Sequence, residues 1–461
     1  MRSVDKLPFR VAIRQVMEDV TYSNALPEWY TPERIDEAAR LTRLTGRAQG
    51  YINGKGRPLD VLALQVPRLT GGTRAWVVPA VNDQIILQAC VVNLAKAVSK
   101  EFDRTRVFSC EPNDDPNRIA FMKPQISALL AFHKETIRRL EQRGYMLEFD
   151  IERAFPSIDR SKFFEFVERL QPASAESDLV KLLLNAWAGG EPGIPLVNDS
   201  VFFLGSAYLE VVDREVVAVS SNFTRYMDDY RVFGDSVAQL EQNFESISRR
   251  LEALGLKINL RKVRIGSRKD YLQPVVEPKP ARSPRYVLGL DNGIKGQIDP
   301  EQLALLVARS LDSPDDFLNE GFGRYLLGAM RRYRLNLAVR RRTSHDEGAL
   351  QDRLQGLLRG GSKVARARLD EYSKEARHTW RAIWVMYLIE QQGAANEASQ
   401  ELDQVEKSMQ MPLVAKLWAR RCRLRMGGEP ARLADESLHD LSYVDAGKRC
   451  YGEELCKGDG F

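Results

Sequence analysis

Cysteine and histidine are scarce in this chain of 461 residues, which has five of the first and four of the second. No cysteines stand in a CxxC spacing and no histidines in an HxxxH spacing, so neither a zinc site nor a disulfide framework is indicated. Scattered thiols are typical of a reducing cytoplasm, which is the predicted location. Any catalytic metal ion would therefore have to be bound through oxygen ligands.

Long apolar runs are also missing. No stretch of eighteen apolar residues occurs, so neither a membrane span nor a membrane partner is predicted. The first eleven residues carry charges and have no apolar core of signal-peptide length. The net charge is only +5, which permits a polyanionic partner without requiring one.

The elements follow an order that indicates an α+β fold class. Residues 1–60 have a helical pattern, residues 61–290 mix helices with strands, and residues 291–461 are almost wholly helical in pattern. Two β-type runs around Gly71-Gly72 predict a hairpin of 61–64 with 75–78. A strand is predicted over Tyr145–Asp150, after a helix from Asn117 to Gln142, and Asp159 is a predicted helix N-cap.

Three carboxylates stand where regular structure ends. Asp150 closes an apolar strand, while Asp228 and Asp229 are adjacent in the turn of a second predicted hairpin. Adjacent aspartates repel each other, and a hard divalent cation removes that repulsion. With a third carboxylate from a neighbouring strand, two ions about 3.5–4 Å apart could be held. A single Asp-Asp pair in a turn is usually only solvated, so the other motifs of the chain must decide.

Several segments in fixed order resemble the motifs of reverse transcriptases. Tyr226-Met227-Asp228-Asp229 matches their YxDD box, and the segment that begins at Phe149-Asp150 resembles their first palm motif, with an aromatic residue five positions after the aspartate. The remaining matches are the fingers hairpin (66–79), the second palm motif (193–209), the fourth (254–262) and, more loosely, the primer grip (286–290).

This resemblance implies a right-hand polymerase fold, with fingers and palm in 61–290 and an all-α thumb and C-terminal region in 291–461. It implies an RNA-directed DNA polymerase that uses two Mg²⁺ ions, with Mn²⁺ as an alternative. The implied catalytic residues are Asp150, Asp228 and Asp229, and Ile151 joins them among the metal ligands. The implied nucleotide-binding residues are Arg68, Arg74, Phe155, Met227 and Lys262.

Each implied role has a plainer alternative. The hairpin arginines are otherwise solvated, Lys262 an ordinary surface lysine, Met227 a residue filling a gap beside the strand, and Phe155 a core side chain. Phe155 bears on sugar choice, since in this family an aromatic ring there packs under the ribose and clashes with a 2′-hydroxyl. The second palm motif departs from the common form, with Leu196, Val197 and Val201 at positions where most members have smaller or polar residues.

The motifs look most like those of the bacterial reverse transcriptases of phage-defence and abortive-infection systems. No RNase H, integrase or zinc-type endonuclease segment is recognisable. By analogy the implied partners are RNA and DNA, dNTPs, a dedicated non-coding RNA, and a second copy or another defence protein. Atypical template or primer use is implied as well.

The C-terminal region has arginine clusters interleaved with aromatic residues. Trp380, Trp384 and Tyr387 stand at helical spacing and are predicted core residues, whereas the arginines are predicted to bind nucleic acid. The predicted nucleic-acid-binding cluster is Arg331, Arg332, Arg334, Arg340, Arg341 and Arg342. Two alternatives remain open: an RNA-synthesising polymerase, which Phe155 disfavours, and a catalytically silent nucleic-acid-binding scaffold.

Overall fold

A computed structural model gives the fold of the chain. It describes residues 4–22, 37–58, 61–67, 73–113, 120–123, 125–272, 366–367, 369–375, 378–391 and 398–426. Among these residues, no helix is both long enough and apolar enough to cross a bilayer.

The chain divides into two compact units. The first is built from Met1–Asp19, Glu37–Leu59 and Pro79–Val276. The second includes the range Asp60–Val78 and the C-terminal part of the chain. The predicted division at residues 60 and 290 stays a prediction.

The first unit combines one sheet with the helices around it. Its described helices are, in chain order, α1 (Phe9–Tyr22, whose last turn belongs to the second unit), α2 (Glu37–Ile52), α3 (Val81–Ser99), α4 (Gln125–Arg143), α5 (Ala154–Ser157), α6 (Arg160–Leu170), α7 (Ala175–Ala188), α8 (Asp199–Tyr208), α9 (Glu210–Val217), α10 (Val237–Ala253) and α11 (Arg268–Leu272). Helix α3 is buried along most of its length, as its apolar sequence predicts.

Four antiparallel strands form the sheet of the first unit. With the strands of the second unit counted as β1 and β2, they are β3 (Tyr145–Asp150), β4 (Phe223–Tyr226), β5 (Asp229–Gly234) and β6 (Arg264–Ser267). Their spatial order is β4-β5-β3-β6, so β3 and β5 are the central strands. Because side chains alternate along a strand, all four charged residues of the inner strands lie on one face, together with Met146 and Phe233.

Helices cover both faces of this sheet. Helix α10 packs on one face, where Leu240 lies against Gly234. Helix α4 packs on the opposite face, where Thr136 accepts a hydrogen bond of 2.8 Å from Arg231. The catalytic candidates Asp150 and Asp229 point to the α4 face, because side chains of directly paired residues share a face.

The described part of the second unit consists of a β-hairpin and helices. Strands β1 (Leu62–Pro67) and β2 (Thr73–Val78) pair antiparallel, as predicted. Its helices include α12 (Thr379–Gln391), α13 (Ser399–Lys407) and α14 (Leu413–Met426). Trp380, Trp384 and Trp418 are completely buried, so the prediction that Trp380 and Trp384 are core residues is confirmed, whereas Tyr387 is only partly buried.

One predicted boundary is wrong. The helix expected from Asn117 begins at Gln125, and Met122 forms a β-bridge with Pro112 instead. Further along the chain, a short 3₁₀ turn at Leu260–Lys262 precedes β6. The strand at Tyr145–Asp150 and the cap at Asp159, which accepts from the backbone N–H of Ser161 and Lys162, are confirmed.

Candidate active site

Asp150 and Asp229 lie directly opposite each other at the ends of β3 and β5. The backbone N–H of Ile151 donates to the carbonyl of Asp228 over 3.3 Å, so Asp150 and Asp229 form a pair without mutual backbone hydrogen bonds. In such pairs the Cα atoms are about 4.5 Å apart and the side chains approach most closely. Like charges in this position destabilise a sheet, which makes the pair costly without a cation.

Asp228 is carried by the two-residue turn that joins β4 to β5. Tyr226 pairs with Asp229, which leaves Met227 and Asp228 as the central residues of the turn. Met227 has a φ of 56°, a left-handed conformation that favours glycine. Strain of this kind costs about 1–3 kcal/mol and persists only where the surroundings enforce it.

Electrostatics set Asp229 apart. Burial, together with the negative charges of Glu148, Asp228 and Asp150, raises the pKa of Asp229 to about 7, against the opposing effect of Arg231. Glu148 pairs with Arg231 across β3 and β5, two residues along the strands from the aspartate pair, and their side chains are bonded over 3.2 Å. Four acidic residues and one arginine therefore share this end of the sheet, and a divalent cation would relieve their repulsion.

Lys262 reaches into the same group. Its ammonium donates to Oδ2 of Asp150 over 2.5 Å, while the Asp150 side chain is only 13% exposed. The other oxygen, Oδ1, is buried and has no hydrogen-bond partner in the described part of the chain. A buried carboxylate oxygen without a partner is unfavourable and is a ready ligand for a hard cation.

The ligand chemistry of the aspartates fits magnesium, but their side chains are not gathered around one point. Within the described ranges no group of three or more His, Cys, Asp or Glu side chains is arranged to hold a metal ion. Binding would require Lys262 to leave Asp150 and the carboxylates to turn toward each other. Ile151 has a buried hydrocarbon side chain, so only its backbone carbonyl could serve as a ligand.

Phe155 lies beside the second palm motif. Its backbone carbonyl accepts from the N–H of Ile194 over 3.0 Å, and Gly193 packs so closely on Pro156 that a Cβ atom there would lie 2.3 Å from the Pro156 backbone. The Phe155 ring is 6% exposed and fills the space above Gly205, where a Cβ atom would come within 2.1 Å of it. Its role in sugar selection stays a prediction.

The unusual side chains of the second palm motif are core residues. Leu196, Val197 and Val201 are at most 9% exposed. Asn198, between them, caps α8 by accepting from the backbone N–H of Val201. Their sequence positions alone gave no indication that they point inward.

The other predicted binding residues are only partly described. Arg74 is half-buried on β2 in the second unit, whereas Arg68 lies outside the described residues. The cluster from Arg331 to Arg342 and the primer-grip segment 286–290 also lie outside them. Two arginines of the C-terminal clusters are paired with acids: Arg366 with Glu401, and Arg423 with both Asp403 and Glu406.

Sequence reasoning missed a buried ionic network behind the turn. Arg225 is completely buried and bonds both oxygens of Asp213 over 2.7 Å, and Asp213 also accepts from the Tyr230 hydroxyl. An arginine at an inward position of a short strand, two residues before Met227, was the available signal. Its partner could not be inferred, because Asp213 belongs to a helix.

Comparisons with known proteins agree with the motifs. Residues 67–290, just under half of the chain, match the family described as reverse transcriptase (RNA-dependent DNA polymerase). A search of curated proteins gives no match. Among solved structures, the chain is similar to apo telomerase from Candida tropicalis truncated from the C-terminal domain, with 11% identity and a TM-score of 0.32. That alignment covers 49% of this chain and 55% of the telomerase chain.

The matched region, which contains the sheet β4-β5-β3-β6, is similar to a family of nucleotidyltransferases. More narrowly, residues 67–290 match the reverse transcriptase family. Enzymes of this family act on RNA and DNA, copy RNA into DNA, and generally use divalent metal ions.

Proposed function

We propose that this chain joins deoxynucleotides on an RNA template by two-metal catalysis, with Asp150, Asp228 and Asp229 as its catalytic carboxylates. The observation that carries the proposal is the close, like-charged pair of Asp150 and Asp229, with Asp228 beside it and a buried Asp150 oxygen that lacks a partner. Such an arrangement is unfavourable in an ordinary sheet. It is useful where cations must be held.

Each carboxylate has a distinct place. Asp150 and Asp228 are the main metal ligands, Asp229 is a nearby one, and the Ile151 carbonyl completes the set. Two Mg²⁺ ions, or Mn²⁺ in their place, would supply the Lewis acidity that activates a primer hydroxyl and neutralises the leaving pyrophosphate. The protein's part is to fix these oxygens on two rigid central strands.

Lys262 and the hairpin arginines bind phosphate in this proposal. The Lys262 ammonium donates to Asp150, so it lies where it could turn to the pyrophosphate of a bound nucleotide. There it would neutralise or protonate the leaving group. Arg68 and Arg74 grip the triphosphate with their forked guanidinium groups.

Phe155 and Met227 contact the sugar and the primer end. An aromatic side chain packed under the ribose excludes a 2′-hydroxyl by contact, which favours deoxynucleotides. Phe155 lies on α5, the first turn after β3, five residues beyond Asp150. Met227 projects from the turn that carries Asp228 and would lie beside the primer terminus.

The test is nucleotide incorporation by the purified full chain. Labelled dNTPs are supplied with Mg²⁺ and an RNA template, with and without a DNA primer, and NTPs are tested in parallel. We expect dNTP incorporation that the combined substitutions Asp228→Ala and Asp229→Ala abolish. The matched control is Asp235→Ala, which removes an exposed aspartate just beyond β5 that pairs only with Arg143 in the described structure.

Other outcomes favour other functions. Incorporation of NTPs in place of dNTPs would favour an RNA-synthesising polymerase. Absence of incorporation, together with tight RNA binding that the double substitution leaves unchanged, would favour a nucleic-acid-binding scaffold.

We extend the proposal to antiphage defence in bacteria, on the resemblance of the palm motifs and the helical C-terminal region to those of defence reverse transcriptases. Bacteria that express the chain should form fewer plaques under phage challenge than bacteria that express the Asp228→Ala, Asp229→Ala variant. Equal plaque counts would remove the defence role and leave the polymerase activity untouched. Nucleic acid that copurifies with the protein identifies its template, including any dedicated non-coding RNA.

A further inference from the structure

The turn that carries Asp228 is held at both peptide groups of Met227. The backbone N–H of Met227 donates to the hydroxyl oxygen of Ser109 over 2.9 Å. The backbone carbonyl of Met227 accepts from Nη1 of Arg225, also over 2.9 Å. These two bonds come from different parts of the chain and meet on the residue with the left-handed φ.

Ser109 is itself fixed by the segment 104–110, which runs along the outer edge of β4. The N–H of Phe108 donates to the carbonyl of Arg225 over 3.0 Å, and the N–H of Arg225 donates to the carbonyl of Arg106 over 2.8 Å. Arg104 donates to the carbonyls of Ser109 and Cys110 over 2.7 and 3.0 Å. Because these bonds fix the backbone on both sides, the Ser109 hydroxyl, only 2% exposed as a residue, has a defined position.

Arg225 is held at least as firmly. Its side chain is completely buried and forms a two-bond pair with Asp213, with both distances 2.7 Å. It also donates to the hydroxyl and to the carbonyl of Ser206, each over 3.2 Å. A bidentate arginine–carboxylate pair fixes the orientation of the guanidinium group. The pair with Asp213 therefore directs Nη1 of Arg225 at the carbonyl of Met227.

A purely structural role does not account for this arrangement. A two-residue hairpin with a left-handed first position forms readily when that position is glycine. This chain places methionine there and adds one buried acceptor, the Ser109 hydroxyl, and one buried donor, the Arg225 guanidinium, which hold it in that conformation. Met227 therefore has a strained backbone conformation, and the hydrogen bonds from Ser109 and Arg225 to its two peptide groups stabilise that conformation.

We propose that Ser109 and Arg225 are positioning residues for DNA synthesis, which hold the Met227–Asp228 turn so that Asp228 and Asp229 meet the metal ions opposite Asp150. The inference rests on the proposed function. It adds residues outside the recognised motifs: Ser109 precedes the first palm motif, and Arg225 acts through its guanidinium on a backbone carbonyl. Neither side chain touches substrate in this scheme.

The first test is Ser109→Ala, which removes one oxygen and leaves the Met227 N–H without its acceptor. We expect the Mg²⁺ concentration needed for half-maximal synthesis to rise about 10–100-fold, the range typical of residues that orient metal ligands. The same loss should appear without turnover, as weaker Mn²⁺ or Mg²⁺ binding to the protein in titration calorimetry. The control is Ser177→Ala, which removes a buried serine that bonds Gln171 over 2.8 Å and has no contact with the turn.

The second test combines Ser109→Ala with Met227→Gly. Glycine takes the left-handed conformation without strain, so the turn no longer depends on Ser109. We therefore expect the effect of Ser109→Ala on metal affinity to be much smaller in the Met227→Gly background than in the native one. Equal effects in the two backgrounds would contradict the proposal, because the two positions would then be independent.

Arg225→Lys provides a second variant that keeps a positive charge beside Asp213 but loses the fork. It should weaken metal binding by a similar factor. If Ser109→Ala and Arg225→Lys lower the unfolding midpoint yet leave metal affinity and its half-maximal concentration unchanged, the network is structural only and the inference fails. Should Asp228→Ala with Asp229→Ala leave synthesis intact, the proposed function itself fails, so the two failures are distinct.

Discussion

The ammonium of Lys262 donates a hydrogen bond of 2.5 Å to Oδ2 of Asp150, the carboxylate at the end of the central strand β3. The lysine side chain is 59% exposed, so most of its length lies in solvent while its ammonium contacts the buried carboxylate. A monovalent cation thus stands where the proposal requires a divalent one. The two cannot share that oxygen without repulsion.

Replacing Lys262 tests this competition. Lys262→Gln should strengthen Mg²⁺ binding to the nucleotide-free protein, because the competing ammonium is gone. It should also slow nucleotide addition by about 100-fold, the lower end of the range for general acid catalysis. Calorimetry and single-turnover extension measure the two effects. Lys269→Gln, an exposed lysine on α11, is the control; unchanged metal affinity and rate in Lys262→Gln would exclude both roles.

The raised pKa of Asp229, about 7, predicts how stability depends on pH when metal is chelated. A carboxyl whose folded pKa lies above its unfolded value stabilises the fold while protonated. That contribution is fully present below about pH 4 and is lost as the pH rises through 7. It amounts to about 1.4 kcal/mol for each pH unit between the two pKa values.

Asp229→Asn isolates this effect, because asparagine keeps the shape and cannot titrate. Chemical denaturation in a chelator at several pH values should give a steeper fall in the free energy of unfolding for the native chain than for Asp229→Asn. Saturating Mg²⁺ should remove this difference in slope, because a bound cation favours the ionised carboxylate. Parallel slopes in chelator would mean that Asp229 titrates normally.

The absence of a side chain at Gly205 allows the ring of Phe155 to pack directly against α8. A Cβ atom at Gly205 would lie 2.1 Å from Cε1 of the ring and 2.7 Å from Cδ1, so the ring must move. Overpacking of this kind costs about 1–3 kcal/mol. Gly205→Ala should therefore destabilise the protein even though alanine is the better helix former, and Phe155→Val in the same background should recover most of the loss. Additive losses in denaturation would show that the contact is absent.

Phe155→Val also tests sugar selection. A smaller side chain leaves room for a 2′-hydroxyl, so the preference for dNTPs over NTPs should fall. The ratio of kcat/KM for a matched dNTP and NTP measures the preference. The control is Phe203→Leu, which alters a buried ring on α8 that stacks on Phe102. An unchanged ratio in Phe155→Val would remove the steric explanation.

The tryptophans of the C-terminal helices are predicted to contribute stability and not base stacking. Trp418 is fully buried on α14 and lies edge-on to Tyr387, 6.1 Å between ring centroids. Trp418→Ala should lower the free energy of unfolding by about 3–5 kcal/mol. Denaturant titration of the full chain checks this. A native-like midpoint together with weaker RNA binding would mean that the ring faces nucleic acid.

Local pattern was sufficient for the elements that carry the carboxylates. The strand Tyr145–Asp150 and the β4–β5 hairpin follow from alternating side chains and turn residues. The start of α4 was wrong because Met122 pairs with Pro112, a contact that a helical periodicity cannot reveal. Tertiary pairing overrode the local preference there.

The parts of the site that escaped prediction depend on partners far apart in sequence. Ser109 meets Met227 across 118 positions, and Lys262 meets Asp150 across 112. The sequence predicted only that the three carboxylates come together in the fold. It does not specify that Asp150 directly faces Asp229 across β3 and β5. Motif order supplied the candidates, and the fold supplied their geometry.

The segment 104–110 has one more consequence, for the behaviour of the protein in solution. A sheet edge with free N–H and C=O groups invites strands from other molecules and leads to aggregation. Here the β4 edge is already covered by Arg106–Phe108, and β6 at the other edge is only four residues long and begins with the exposed Arg264. The sheet of the first unit is thereby protected at both edges against pairing with strands of other molecules.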